Sequence, residues 1–209
     1  MKKILSLVLS AILLLSAVAC SSDEAKETTQ KDTTQEISHG SIQGKVYKSK
    51  FTGITFTAPN GWTYLSDSEI AALYNISSDA VDLENFAESM KKIKNYTEMM
   101  ATTESGNNIS IAYDNLALNG NSGISDKAYL DLALQQMQDA MSSMTVKLVG
   151  TKSVSLSGHT YLRAQLETVA YGVTMQQYLY LRSIGGYMVC ISITLIDGYT
   201  ISDIEALFS

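Results

Sequence analysis

The stretch LSGHTYLRAQLETVAYGVTMQQYLYLRSIGGYMVCISITLI, residues 156–196, decides the fold. It is broken by three turn signals, Leu156-Ser157-Gly158-His159, Tyr171-Gly172 and Ile184-Gly185-Gly186. Between them, runs rich in Tyr, Leu, Val, Ile and Thr predict the strands of a meander that begins near Val146. A two-residue loop at Tyr171 and Gly172 makes the numbers of paired residues sum to 343, which sets Leu162 opposite Leu181 and Ala164 opposite Leu179. Both partners of each pair are apolar, so this register puts one face on a core. A glycine turn with an odd number of residues, or a bulge, would bring Val189, Ile191, Ile193 and Leu195 to that same face.

The opposite face of the meander is expected to pair Tyr161 with Arg182, Arg163 with Tyr180, Gln165 with Tyr178 and Glu167 with Gln176. Tyrosine rings and guanidinium groups thus interleave across neighbouring strands. Arg163, Tyr178, Tyr180 and Arg182 are the candidate binding face, able to stack planar groups, hold anions or anchor another protein. The plainer reading, and the favoured one, is that Tyr and Arg make good cross-strand pairs on a face that is solvated or covered by a helix. Cys190 and Ser192 are expected to share this face, with no base at hand to activate either, and Cys190 reads as buried and inert.

Upstream, Val46-Tyr47 and Ile54-Thr55-Phe56-Thr57 alternate as half-buried strands, and Ala58-Pro59-Asn60-Gly61-Trp62 stops the second with turn chemistry. The sole tryptophan, Trp62, is expected to plug one end of the core. Ser66-Asp67-Ser68-Glu69 is a capping box that starts a helix through Ile70, Leu73 and Tyr74. A second helix is expected from Ser78 or Asp79, with Leu83, Phe86, Met90 and Ile93 on one side. Strands follow over residues 96–103 and 108–113, joined at Glu104-Ser105-Gly106-Asn107. Ser125 then caps a helix whose Leu130, Ala133, Leu134, Met137, Met141 and Met144 recur at helical spacing. Those methionines form a core stripe rather than a copper site, since no His or Cys accompanies them. A short helix over 202–208 follows the meander.

The first twenty residues carry an address. Lys2 and Lys3 precede an apolar run from Ile4 to Leu15, and Ala17-Val18-Ala19 leads into Cys20. The run is too short for a permanent span of roughly 20 residues. It resembles a bacterial lipoprotein signal, in which Cys20 becomes the lipidated N-terminus and the membrane is contacted through that lipid, on the extracytoplasmic side of the cell membrane. Domain organisation follows: residues 1–19 a cleaved signal, 20–45 the lipidated cysteine and a flexible polar linker, 46–209 a single domain. The linker should reach about 25–30 Å, from roughly 5–6 Å × √n.

Charge and composition exclude several classes of function. Without residues 1–19 the chain holds 13 Lys plus Arg against 21 Asp plus Glu, a net charge of −8. Nucleic acid is excluded as a partner on that balance, and anionic lipid exerts no pull, leaving the acyl chains as the anchor. With Cys20 lipidated, Cys190 has no disulfide partner. His39 and His159 stand without Cys or carboxylate at ligand spacing, so neither a metal nor a cofactor is expected. No nucleophile–base pair is evident, and no catalytic residue is assigned.

Tyr47, the strand Gly53-Ile54-Thr55-Phe56, Pro59-Asn60-Gly61-Trp62, a capped helix and a late meander ending in an apolar strand together resemble the PsbP-like group of bacterial lipoproteins over most of residues 46–209. The resemblance implies an α+β sandwich, a central antiparallel sheet with helices on both sides. It also implies a non-catalytic role, since relatives of that group bind other macromolecules: one is an extrinsic photosystem subunit, another a yeast nuclear-transport factor that binds the GTPase Ran. Their partners do not transfer, because nothing in this chain matches a thylakoid or nuclear setting. Two functions therefore stand open: a tethered binding or assembly module for a protein partner, or a small-ligand receptor using the Tyr and Arg face.

Overall fold

The computed structural model describes residues 36–74, 81–140, 144–170 and 173–209. The signal segment, Cys20, the helix start at Ser78 or Asp79, Met141 and the Tyr171-Gly172 loop lie outside the described residues. In chain order the elements are β1 (Ser41–Gln43), β2 (Val46–Lys48), β3 (Thr55–Thr57), β4 (Trp62–Tyr64), α1 (Asp67–Leu73), α2 (Phe86–Met90), β5 (Asn95–Thr103), β6 (Asn108–Asn115) and α3 (Asp126–Ala140). They continue with β7 (Met144–Leu156), β8 (His159–Ala170), β9 (Val173–Ile184), β10 (Tyr187–Leu195) and α4 (Ile201–Glu205). The folded chain begins before residue 46: β1 pairs with β2, and Ile37 is buried in the core.

Seven strands form one antiparallel sheet in the order β4-β5-β6-β10-β9-β8-β7, and β1-β2-β3 make a second, small antiparallel sheet. The meander has the register expected from its sequence, with Leu162 opposite Leu181 and Ala164 opposite Leu179. The fold is α+β, with helices on both sides of the central sheet. On one side α3 lays Leu130, Ala133 and Met137 over Ala164, Leu166, Leu179, Leu181, Met188 and Cys190. On the other, Tyr47, Phe51, Ile54 and Phe56 from the small sheet and its loop, with Ile204 and Phe208 from the C-terminal segment, pack on Ile109, Ile111, Tyr113, Val189, Ile191 and Ile193. Each large apolar side chain buried in these layers contributes about 1.5–3 kcal/mol.

The glycine turn corrects one expectation. Gly185 and Gly186 both have positive φ, at 56° and 88°, and form a two-residue loop that pairs Ile184 with Tyr187. Such a loop matches the twist of the flanking strands and needs φ values that glycine adopts freely. An even loop turns Val189, Ile191 and Ile193 to the side of Arg182, Tyr180 and Tyr178, their direct partners, and away from the leucine face. Cys190 and Ser192 move to the leucine face for the same reason, opposite Leu181 and Leu179. A second correction concerns the helix after α1. Helix α2 is only five residues long, and Leu83, expected on its buried side, is 45% exposed in the turn before it. Asp82 organises that turn, accepting from the backbone of Glu84 and Asn85 at 3.0 and 3.2 Å and from the Asn85 side chain at 2.8 Å. The local backbone hydrogen bonds are thereby drawn into an Asx turn instead of a helix.

Both capping sites are occupied. Glu69 N–H donates to Ser66 Oγ at 3.3 Å while Ser66 N–H donates to Glu69 Oε2 at 2.7 Å. Ser125 Oγ accepts from Ala128 N–H at 3.2 Å at the start of α3. Trp62 is buried at one end of the core, edge-on to Tyr199 with ring centroids 5.7 Å apart. Beyond α4, Phe208 bridges to Phe56, and Thr57 N–H donates to the Leu207 carbonyl at 3.1 Å. The residues after α4 therefore extend the small sheet past β3. No helix among the described residues is long and apolar enough to cross a membrane.

Candidate functional site

The four Tyr and Arg candidates lie together on one face of β8 and β9, in the expected cross-strand order. They do not form an open surface. Arg163, Tyr178 and Tyr180 are buried, with relative exposures of 9%, 7% and 0%, and Arg182 is half-buried. Arg163 stacks over the Tyr178 ring at 5.4 Å and Arg182 over the Tyr161 ring at 5.8 Å. Helix α4 closes over this face and supplies a carboxylate to it. Glu205 Oε1 accepts from Arg163 Nη1 at 2.7 Å and from the Tyr180 hydroxyl at 2.8 Å. Burial works against the Arg163 charge, yet the adjoining Glu205 carboxylate holds its pKa above the ordinary value. Burial, reinforced by the same carboxylate, pushes the Tyr180 hydroxyl up. The helix-covered alternative foreseen for these residues is the arrangement found. Glu205 carried no signal in the sequence, since it sits 42 residues beyond Arg163 on a short terminal helix.

Cys190 lies on the opposite face beneath α3, with its thiol 3.7 Å from the Tyr129 hydroxyl. Burial pushes the thiol well above its ordinary pKa, which makes it a poor nucleophile. The Tyr129 hydroxyl donates to Asp114 Oδ2. Asp114 is itself buried, and that burial pushes its carboxyl up to about 6. Among the described residues there is no group of three or more His, Cys, Asp or Glu placed to hold a metal ion.

A polar group that sequence reasoning missed lies under the small sheet. The β5–β6 register slips between Thr97 and Met99, so Glu98 is the extra residue of a β-bulge. In a bulge two successive side chains turn to the same side. Glu98 therefore joins Met99 inside the core, where it is 3% exposed beside Tyr47 and Tyr113. Gly40 N–H donates to its Oε1, and a Cβ on Gly40 would stand 2.6 Å from a Tyr47 ring carbon. The Tyr113 hydroxyl lies 3.4 Å from Ser49 Oγ. Burial raises the Glu98 carboxyl above its ordinary value, with the neighbouring hydroxyls, His39 and the Gly40 amide pulling the other way. Simple alternation along β5 gives no hint of this, because the bulge breaks the period of two.

Next to this group runs a groove of about 470 Å³ between residues 36–39 and 83–88. Its floor and walls are apolar at Ile37, Leu83 and Phe86, and acidic at Glu36, Glu84 and Glu88. His39 also lines it, edge-on to Phe86 with ring centroids 5.3 Å apart and 6.3 Å from Tyr96. Its Nε2 is buried and meets no hydrogen-bond partner, so no hydroxyl or thiol is set against that nitrogen as a nucleophile. Among the described residues the groove's lining holds no Lys or Arg, and Lys91, just beyond it, pairs with Glu88 at 2.5 Å. Such a recess can seat a cationic or amphipathic group but offers no evident means of activating one.

No family model and no curated protein matches the chain. Among solved structures, the chain is similar to the solution structure of cyanobacterial PsbP (CyanoP) from Synechocystis sp. PCC 6803. The TM-score is 0.50 at 10% identity, covering 81% of this chain and 97% of that one. A crystal structure from Bacteroides thetaiotaomicron VPI-5482 matches with a TM-score of 0.41 at 14% identity, covering 80% of this chain and 48% of the other. At these identities the likeness concerns the fold alone, which is PsbP-like.

Proposed function

We propose that this chain is a lipid-anchored, extracytoplasmic protein whose folded domain is a non-catalytic binding module for a protein partner. The short apolar run followed by Ala17-Val18-Ala19-Cys20 supports lipidation of Cys20 and attachment to the outer side of the cell membrane. Stable attachment needs two acyl chains, which a diacylglyceryl group on Cys20 supplies. The PsbP-like fold is in keeping with a module rather than an enzyme, as fold-level analogy only. The observation that carries the binding reading is the groove, where three glutamates surround an apolar floor containing the exposed Leu83. A segment bearing Lys or Arg next to an apolar side chain complements it in charge and in character. The alternative, a small-ligand receptor on Arg163, Tyr178, Tyr180 and Arg182, requires a ligand that displaces Glu205 and lifts α4 from the sheet.

Two experiments test the two halves of this reading. Cys20→Ser is expected to abolish fatty-acid labelling and release the protein from the membrane fraction; continued labelling and retention would remove the anchor. A photo-crosslinking residue at position 83, in the full chain and in its own cells, is expected to give a discrete protein adduct. That adduct should disappear with Glu84→Lys plus Glu88→Lys and persist with Lys152→Glu on the distant edge strand. An adduct indifferent to the reversals at 84 and 88 rules out the groove.

A further inference from the structure

The groove and the most basic stretch of the chain lie side by side. Helix α2, whose Glu88 lines the groove, runs directly into Lys91-Lys92-Ile93-Lys94, three lysines in four residues on a chain of net charge −6. Its five residues span about 7.5 Å, so the acidic rim and the lysines share one surface. Within one chain Lys91 closes back on Glu88 at 2.5 Å. Lys92 and Lys94 are exposed and make no ion pair among the described residues, and the same holds for Glu36 and Glu84. Opposite charges therefore stand next to each other without cancelling.

The basic stretch is held firmly. Asn115 N–H donates to the Lys94 carbonyl at 2.7 Å, Asn119 Nδ2 donates to the same carbonyl at 3.2 Å, and Asn115 Nδ2 donates to the Met90 carbonyl at 3.0 Å. Both ends of the stretch are thus pinned to the end of β6, and a partner that meets its side chains has little backbone left to order. Ile93 is half-buried between two exposed lysines. An apolar side chain flanked by cations is the chemistry that complements the groove, where Leu83 and Phe86 lie among Glu36, Glu84 and Glu88.

We propose that the groove's partner is a second copy of this chain, an inference that rests on the binding role given to the groove: Lys92-Ile93-Lys94 of each copy seats in the acidic groove of the other. A patch with an acidic half and a basic half is complementary to itself after half a turn, as a twofold dimer requires. Each exposed ion pair is worth little alone, and the two sets of pairs act by fixing the register of an apolar contact at their centre. The surface is small, so the association belongs to the weak class and is favoured where chains are concentrated on one membrane.

The test uses two differently tagged full chains expressed together in their own cells, one carrying a photo-crosslinking residue at position 83. The adduct is expected to have the mass of two chains and to contain both tags. With Glu84→Lys plus Glu88→Lys in both chains its yield should fall at least about tenfold, and with Lys92→Glu plus Lys94→Glu in both it should fall as far, because like charges then meet at each contact. Pairing one chain of each kind puts opposite charges back at both contacts, so the adduct should return. All four positions are exposed, and melting curves that match the parent's establish that the variants fold. An adduct from position 83 to a different protein, with none between copies, overturns the second copy as occupant and leaves the binding role of the groove standing. No adduct of any kind removes both. An adduct between copies that survives either reversal, or that fails to return in the mixed pair, also overturns the proposal.

Discussion

Glu98 and Glu205 are two carboxylates brought into the same side of the core by different means, one by a bulge and one by a helix. Their removal should have opposite signs. The folded protein raises the Glu98 pKa above its unfolded value, so the stability linked to this group is fully present below the ordinary carboxylate range and is lost as pH rises through the folded value. Glu98→Gln keeps the oxygen that accepts from Gly40 and removes that loss. Its Tm should match the parent near pH 4 and exceed it by a few degrees at pH 8, read from melting curves across the range. Glu205→Ala should instead destabilise, because it leaves the buried Arg163 guanidinium and the Tyr180 hydroxyl without their shared acceptor. A fully buried pair broken this way costs about 3–5 kcal/mol, and the partial exposure of Glu205 reduces the expectation to about 2 kcal/mol by chemical denaturation. Neither carboxylate stood out in the sequence. One is hidden by a break in strand period and the other by its distance along the chain from its partners.

At the scale of elements, the meander was legible because a tight turn converts sequence directly into register. The same reasoning failed one turn later, where Gly185-Gly186 admits several loop lengths and only the backbone conformation chooses the even one. Parity then decides which face receives Ile191 and which receives Cys190. Helix α3 was legible from its period and its Ser125 cap as far as Met137, but it ends at Ala140, and Met144, expected on the same stripe, opens β7 instead. Helix α2 was not legible, because the Asx turn at Asp82 competes for the same backbone groups. Helix α4 is short, yet together with the residues after it the chain buries Ile204 and Phe208 against the sheet. Deleting residues 200–209 removes two core side chains worth about 2–5 kcal/mol each. That approaches the whole stability of a typical domain, 5–15 kcal/mol. The truncated chain should lose cooperative unfolding and bind a hydrophobic dye, and a sharp transition at the parent Tm would refute this account of α4.

For the molecule as a whole, a single central sheet separates two environments with different chemistry. The side under the small sheet is rich in aromatic rings and contains Glu98 and Glu205. The side under α3 is aliphatic and sulfur-rich and contains Asp114 and Cys190. The small sheet has a further consequence, one of timing. Thr57 cannot complete its hydrogen bonding until Leu207 is present, and Ser209 N–H closes onto the Thr55 carbonyl at 3.0 Å. Contacts spanning some 150 residues form late, since their loop entropy must be met first. On the proposed lipid-anchored reading, with the N-terminus leading through an export channel, the strands that emerge first stay unfinished until residues 207–209 have crossed, so that threading stays ahead of folding.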